Sequence, residues 1–388
     1  MSALYIHWPF CKKKCPYCDF NSHVREGVDH ARWRAALVRE LEYWHARVPD
    51  FQLNSLFFGG GTPSLMAPET AAALIARAQQ LWSHDEAMEI TLEANPTSVE
   101  AEKFVQLRAA EVNRLSLGIQ SLRPEALAFL GREHSADEAR AAIALAQKIF
   151  PRYTFDLIYA LPGQTLEGWE QELRAALKLA RDHLSLYQLT IEENTAFHHA
   201  YHVDKAFTLP SEELAAEFYA LTQRVMEEAG LPAYEISNHA RAGHESQHNL
   251  CYWRSEAYLG IGPGAHGRVD VPASGLLGPP QRLATRNLKS PERWLEQVER
   301  MGHGLEEETP LSVAERAEET VLMGLRLHEG IALGRLRADE RAYLENLWRD
   351  GRLQRLQDEG LLEATNDCLR ATPRGSLLLN ALIEQVLR

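Results

Sequence analysis

No stretch of this 388-residue chain approaches the roughly 18 consecutive apolar residues that a membrane-crossing helix needs. An integral membrane segment is therefore not expected. Nor is a secretory leader expected, because Met1 passes straight into Leu4-Tyr5-Ile6 without a basic region followed by an apolar one. Positive charge is in short supply: 41 Lys and Arg stand against 54 Asp and Glu, a net charge of −13. That balance argues against a nucleic-acid partner, whose phosphates require a basic surface. Cysteine is scarce, with five in the chain, and a cytoplasmic location, where thiols stay reduced, is expected. What is present is enough for a full core: 45% of residues are hydrophobic, in a length that suits two domains or one large α/β domain with an appendage.

Three of the five cysteines lie together, in His7-Trp8-Pro9-Phe10-Cys11-Lys12-Lys13-Lys14-Cys15-Pro16-Tyr17-Cys18-Asp19-Phe20. The C-x3-C-x2-C spacing of Cys11, Cys15 and Cys18 supplies three thiolates from one loop, which suits an iron–sulfur cluster that keeps one iron free of protein ligands. The competing reading is structural zinc, closed by His7, Asp19 or His23. Structural zinc usually takes paired C-x2-C knuckles, and the only other cysteines are Cys251 and Cys368. Lys12-Lys13-Lys14, the one basic run, either offsets a negative cluster, attracts an acidic electron donor, or forms a solvated loop face.

Further along, β-rich apolar runs at 4–7, 55–58, 89–93, 114–119, 154–159 and 183–189 alternate with helical patterns at 31–45, 68–82, 99–110, 136–150 and 166–181. Such βα units predict a parallel sheet with outer helices, either a partial (β/α)6 barrel or an open doubly wound sheet. Chemistry in such barrels collects at the carboxyl ends of the strands. There the sequence places Gly59-Gly60-Gly61-Thr62-Pro63, then Glu93-Ala94-Asn95-Pro96, Gln120-Ser121 and Asp156. The glycine run suits a tight turn or a cofactor contact equally. His248-Asn249-Leu250-Cys251-Tyr252-Trp253 gathers an imidazole, a thiol and two aromatic rings, which are groups able to ligate haem iron or pack on a porphyrin. The glycine-rich run 260–267 reads as a flexible pocket wall, with His266 either a contact or an ordinary loop histidine. Beyond residue 305, helices at 312–327, 341–350 and 353–359, a hairpin over 361–371 and a last helix at 375–386 predict a winged-helix-like unit. Cys368 is expected there as an inert buried thiol. The chain divides on this reading into 1–240, 241–305 and 306–388.

The cysteine spacing with Tyr17 before the last cysteine resembles the radical S-adenosylmethionine (SAM) superfamily, and the resemblance favours the barrel. It implies a [4Fe-4S] cluster on Cys11, Cys15 and Cys18, with SAM chelating the fourth iron and cleaved there to a 5′-deoxyadenosyl radical. Tyr17 would lie beside the adenine and Gly60, Gly61 and Thr62 would meet the SAM amino group. Tyr5, Glu93, Gln120, Asp156, and Arg132 in Gly131-Arg132-Glu133-His134, would contact SAM or a second ligand. The Y-I-H-x-P-F-C opening resembles the oxygen-independent coproporphyrinogen III oxidases, but those carry a fourth cysteine where Phe20 stands here. The Asp19-Phe20-Asn21-Ser22 continuation and the H-N-x-x-Y-W motif resemble the branch of HemW-type haem chaperones. That branch implies haem held by His248, Cys251, Tyr252 and Trp253, with His248 first choice as ligand. It also implies haem-acceptor proteins and an electron donor such as a flavodoxin or ferredoxin as partners. A tetrapyrrole-modifying enzyme, and a haem sensor with a structural cluster, are the alternatives.

Overall fold

Alternation along the strands decides how this chain packs. In Ser2–Trp8 the side chains of Leu4, Ile6 and Trp8 are fully buried in the main apolar core, while Tyr5 and His7 between them face the other way. Leu56 and Phe58 repeat the pattern against Ser55 and Phe57, Ile90 and Leu92 against Glu89, Thr91 and Glu93, and Leu115 and Leu117 against Arg114 and Ser116. One face of the sheet is thus apolar and covered by helices; the other is polar and forms the lumen of an open barrel.

The computed structural model describes residues 2–272 and 280–388. Six parallel strands follow one another in chain order: Ser2–Trp8, Leu53–Gly60, His84–Ala94, Arg114–Gln120, Arg152–Tyr159 and His183–Gln188. They overlap the six runs read from the sequence, and helices His30–Arg47, Pro68–Leu81, Ala136–Ile149 and Leu166–Leu177 lie between them. The helix expected over 99–110 is two short ones, Ser98–Ala101 and Phe104–Ala109. Between them Lys103 turns its ammonium onto the Ser64 carbonyl, 3.1 Å away.

The sheet is larger than the six strands. Ala257–Ile261 adds a further parallel strand beside Ser2–Trp8, and His266–Val271, Gln281–Asn287 and Leu305–Pro310 continue from it antiparallel. On the far side Asn238–Ala240 pairs antiparallel with His183–Gln188. The run 260–267 is therefore a strand end and a tight turn rather than a flexible wall. A side chain at Gly260 would strike the His266 carbonyl, and Gly262, at φ 93°, packs against the His7 carbonyl. Leu259, Val269, Leu283 and Trp294 share one core with the barrel strands.

Glu40 fastens this extension to the first helix. Its buried carboxylate accepts from the Gly262 N–H at 2.8 Å, Asn287 Nδ2 at 3.1 Å, Trp294 Nε1 at 3.2 Å and the Gly304 N–H at 2.6 Å. Burial pushes its pKa up to about 7 while these donors pull it down. Glu40→Ala leaves four donors unsatisfied and is expected to destabilise the fold by about 3 kcal/mol, read from the denaturant midpoint. A loss under about 1 kcal/mol would contradict this reading.

The C-terminal residues have a core of their own, built on Val321, Leu344, Leu369 and Leu382. The order is helix Val313–Gly324, strand Ile331–Ala332, helices Ala338–Leu347 and Arg352–Asp358, then strands Leu362–Ala364 and Cys368–Ala371, a winged-helix sequence with helix Leu379–Leu387 behind it. The short strand Ile331–Ala332 is the addition to the sequence reading. Cys368 is half-buried rather than buried, its thiol 3.5 Å from the Glu329 carbonyl. Among the described residues no helix is long and apolar enough to cross a membrane.

Candidate functional site

The three cysteines sit on the loop that leaves the first strand at the carboxyl end of the barrel. Backbone bonds fix that loop to the glycine run of the next strand: Gly61 N–H donates to the Trp8 carbonyl at 2.7 Å and Thr62 N–H to the Phe10 carbonyl at 2.9 Å. Close approach explains the glycines. Gly60 lies at φ 112°, and a Cβ there would come within 2.5 Å of the His7 ring; one on Gly61 would come within 2.7 Å of the Phe10 carbonyl oxygen.

Cys11, Cys15, Cys18, Tyr17, Gly60, Gly61, Thr62, Glu93, Gln120, Arg132 and Asp156 all line one cavity, of about 140 Å³. Each thiol has a donor or hydroxyl at hand. Thr62 Oγ1 donates to Cys11 Sγ at 3.5 Å, Arg132 Nη1 to Cys15 Sγ at 3.1 Å, and Cys18 Sγ lies 3.9 Å from Ser22 Oγ. Burial pushes the Cys11 and Cys18 thiols up. A bound cation must therefore displace their protons. Arg132 is held by Asn95 Oδ1 at 2.6 Å and the Gly118 carbonyl at 2.7 Å, and Asn95 Nδ2 reaches Thr62 Oγ1 at 3.3 Å. Asn95 ties the arginine to the glycine turn, a role the sequence reading missed although it quoted the residue at the strand end. Gln120 holds φ 70°, a left-handed conformation that non-glycine residues keep mainly where surroundings impose it.

The chemistry of the donor set, three thiols from one loop, suits a cluster that gives each cysteine its own iron. His7 and His23 are turned away from the thiols by Asn21: His7 Nε2 is 2.9 Å from its carbonyl and His23 Nε2 3.2 Å from its Oδ1. Arg132 Nε, buried and without a hydrogen-bond partner among the described residues, leaves a donor at the cavity for an anionic group such as the SAM carboxylate. The residues present fit a [4Fe-4S] cluster with SAM beside it.

Across from the cysteines, Glu93 and Asp156 face the cavity together. Burial first, then the neighbouring Asp156 charge, pushes Glu93 up to about 8. Burial likewise pushes Asp156 up to about 6, against the pull of Ser185, Arg114 and Arg132. Two carboxyl groups held partly protonated at neutral pH are poised to ionise when a cation arrives.

The sequence profile of the Radical SAM superfamily matches residues 5–176, and that of the HemN C-terminal domain matches residues 311–378. The chain is 40% identical to the bovine (Bos taurus) "Radical S-adenosyl methionine domain-containing protein 1, mitochondrial", over 100% of this chain and 87% of that one. It is also 36% identical to "Heme chaperone HemW" of Escherichia coli strain K12, over 98% of this chain and 97% of the relative. This chain belongs to the radical SAM superfamily, with the HemW-type proteins. The solved coproporphyrinogen III oxidase (HemN) of Escherichia coli shares the fold, with a TM-score of 0.80 over 99% of this chain and 89% of that one, at 22% identity.

Tyr5, expected to contact SAM or a second ligand, and the H-N-x-x-Y-W residues, expected to hold haem, do not line that cavity. Tyr5 lines a neighbouring one, where its hydroxyl is 3.1 Å from His7 Nδ1. Because His7 Nε2 meets a carbonyl and must donate, Nδ1 accepts from Tyr5. The H-N-x-x-Y-W residues are scattered by their helix, Gln247–Trp253, which plugs the barrel from its other end. His248 is 2% exposed, stacked on Phe57 at 4.7 Å between ring centres. Both its nitrogens are engaged, Nδ1 with Ser55 Oγ at 3.2 Å and Nε2 with the Tyr252 hydroxyl at 2.9 Å. Burial drives its pKa down to about 3, so the ring is neutral. An iron bond from His248 requires one of those contacts to break and the ring to leave the Phe57 stack. Cys251 is buried with its thiol pushed up to about 12 and set 3.3 Å from the Ala257 carbonyl. Trp253 faces a different cavity, against the C-terminal unit, and Tyr252 alone of the four lines the one beside the cluster cavity.

Proposed function

We propose that this protein is a cytoplasmic haem carrier that holds a [4Fe-4S] cluster and SAM and hands haem to acceptor proteins. The observation that carries this reading is the chain-long similarity to the heme chaperones HemW. Phe20 supports it: it stands where the resemblance to the oxidases would require a fourth cysteine, and it is 57% exposed at the rim of the cavity.

On this reading Cys11, Cys15 and Cys18 hold the cluster, whose chemistry when bound is one-electron transfer and a free iron coordination position. Gly60, Gly61 and Thr62 offer backbone and hydroxyl to SAM, Glu93 and Asp156 meet its positive charge, Arg132 and Gln120 its polar groups, and Tyr17 its adenine. Arg132 also donates to Cys15. Lys12, Lys13 and Lys14 are exposed on the cysteine loop, a cationic face for an acidic flavodoxin or ferredoxin. The C-terminal unit, which starts at helix Val313–Gly324 rather than at residue 306, is the surface for the acceptor.

Binding of SAM is expected to depend on pH through Glu93. Below about 8 the free carboxyl is protonated, and a sulfonium or ammonium selects the carboxylate, so binding releases a proton. Affinity then rises with pH and levels off above about 8, by up to about tenfold per unit for one proton. Isothermal titration between pH 6.5 and 9, on wild type and Glu93→Gln, tests this. The variant loses the slope and binds about tenfold more weakly at high pH. A wild-type affinity that is flat with pH would refute the assignment.

The function itself is tested by loading the anaerobically reconstituted protein with haem and mixing it with a haem-free acceptor such as an apocytochrome. Transfer faster than from free haem is expected; haem that never leaves the loaded protein contradicts a carrier role.

A further inference from the structure

Another imidazole lies closer to the cluster loop than His248 does. The cavity that adjoins the cluster cavity, of about 420 Å³, lies within the size range of small-molecule sites. Phe20 and Glu93 line both cavities. Tyr5, Tyr252 and Tyr258 also line the second one, with Tyr252 and Tyr258 packed edge to face at 4.4 Å. Planar aromatic surface and an exposed phenyl ring suit a flat apolar ligand. At the rim stand His266, in the first position of its strand, and Lys289. Both are exposed.

Three histidines could serve an iron here, and their ring nitrogens separate them. His7 uses both, on Tyr5 and on the Asn21 carbonyl; His248 uses both, on Ser55 and Tyr252. The His266 ring has no hydrogen-bond partner among the described residues. Its position is rigid all the same. The turn before it depends on Gly260 and Gly262, whose missing side chains admit the His266 and His7 carbonyls, and Asn21 Nδ2 ties that turn to the cysteine loop through the Pro263 carbonyl at 3.0 Å and the Lys289 carbonyl at 2.9 Å. A free imidazole on a fixed strand end, beside an aromatic wall, meets the requirements of an axial ligand. Burial first, then the charges of Arg268, Arg286 and Lys289, pushes the pKa of the His266 ring down against the pull of Glu307, which favours the neutral form that binds iron.

We propose that a metalloporphyrin carrying carboxylate side chains occupies this second cavity, with His266 as the axial ligand of its iron and Lys289 pairing with a propionate. The proposal rests on the haem-carrier reading and moves the iron ligand from His248 to His266. The helix that carries His248 keeps a supporting role: it presents Tyr252 to the cavity and braces it from behind through the His248 to Tyr252 hydrogen bond. The same wall, shared at Phe20 and Glu93, brings the haem beside the SAM cavity, so that occupancy of one is felt at the other.

Hemin titration into the anaerobically reconstituted holoprotein, followed by the Soret band and by low-temperature electron paramagnetic resonance of the ferric haem, tests this. Iron-free protoporphyrin IX is the control. His266→Ala is expected to shift the Soret band, abolish the imidazole-ligated ferric signal and weaken hemin binding about tenfold or more, while protoporphyrin binding and cluster content stay at wild-type level. Lys289→Glu weakens both porphyrins several-fold. Wild-type spectrum and affinity in His266→Ala overturn the proposal, and do so decisively if His248→Ala, with cluster content intact, loses the imidazole signal instead. If wild type takes up no hemin at all, the haem-carrier reading fails, and the site falls with it.

Discussion

Replacement of Cys15 by alanine is expected to leave a folded protein that retains almost no iron. The thiol is half-buried on a surface loop and bonded only within the site, where Arg132 Nη1 approaches to 3.1 Å, so its loss costs the fold little. The cluster loses one of three protein ligands, and Arg132 loses the anion it faces. Iron and sulfide content after anaerobic reconstitution is expected to fall from near four of each per chain, the composition of a [4Fe-4S] cluster, to under about a tenth of that. Cys251→Ala is the matched control: its thiol is buried against the Ala257 carbonyl, away from the loop, and iron content stays at wild-type level. Arg132→Met is expected to lie between the two, weakening cluster retention by roughly 10- to 100-fold as an outer-shell change does. Full cluster content in Cys15→Ala would remove the basis of the site.

Gly60→Ala is expected to weaken SAM binding by roughly 30- to 150-fold while leaving the cluster in place. At φ 112° an L side chain is strained, and its Cβ would come within 2.5 Å of the His7 ring. His7 cannot retreat without breaking its bonds to Tyr5 and to the Asn21 carbonyl. Relief comes instead from the turn, which carries the backbone groups presented to the SAM amino group. A strain of about 2–3 kcal/mol taken from binding is roughly a 30- to 150-fold loss of affinity. The check is the electron paramagnetic resonance spectrum of the reduced cluster, which changes when SAM is added to wild type and stays unchanged in the variant at the same SAM concentration.

The six barrel strands and the cysteine loop were legible because their signals are local. Apolar residues such as Leu4, Ile6 and Trp8 alternate with polar ones, and the first three strands run into Pro9, Gly60 and Asn95, so periodicity and punctuation agree there. The site residues at the strand ends were legible for the same reason, since a polar residue that closes a parallel strand has the barrel mouth to face. What stayed hidden depends on pairing between distant segments. Ala257–Ile261 pairs with the first strand across some 250 residues of chain, and its glycine reads locally as a loop. Glu40 looks like an ordinary helix acid until its four donors arrive from residues 262–304. Ile331–Ala332 is too short to show a period. A motif also names residue types without their orientation. His248, Cys251, Tyr252 and Trp253 are adjacent in sequence, yet one helical turn sends them to the barrel interior, to a backbone carbonyl and to two different cavities.

The most direct test of the account is haem uptake by the anaerobically reconstituted holoprotein, with coproporphyrinogen III, SAM and reductant supplied to a parallel sample. The account predicts one haem per chain and unaltered coproporphyrinogen. Decarboxylated product with no specific haem uptake would contradict it and make this protein an oxidase.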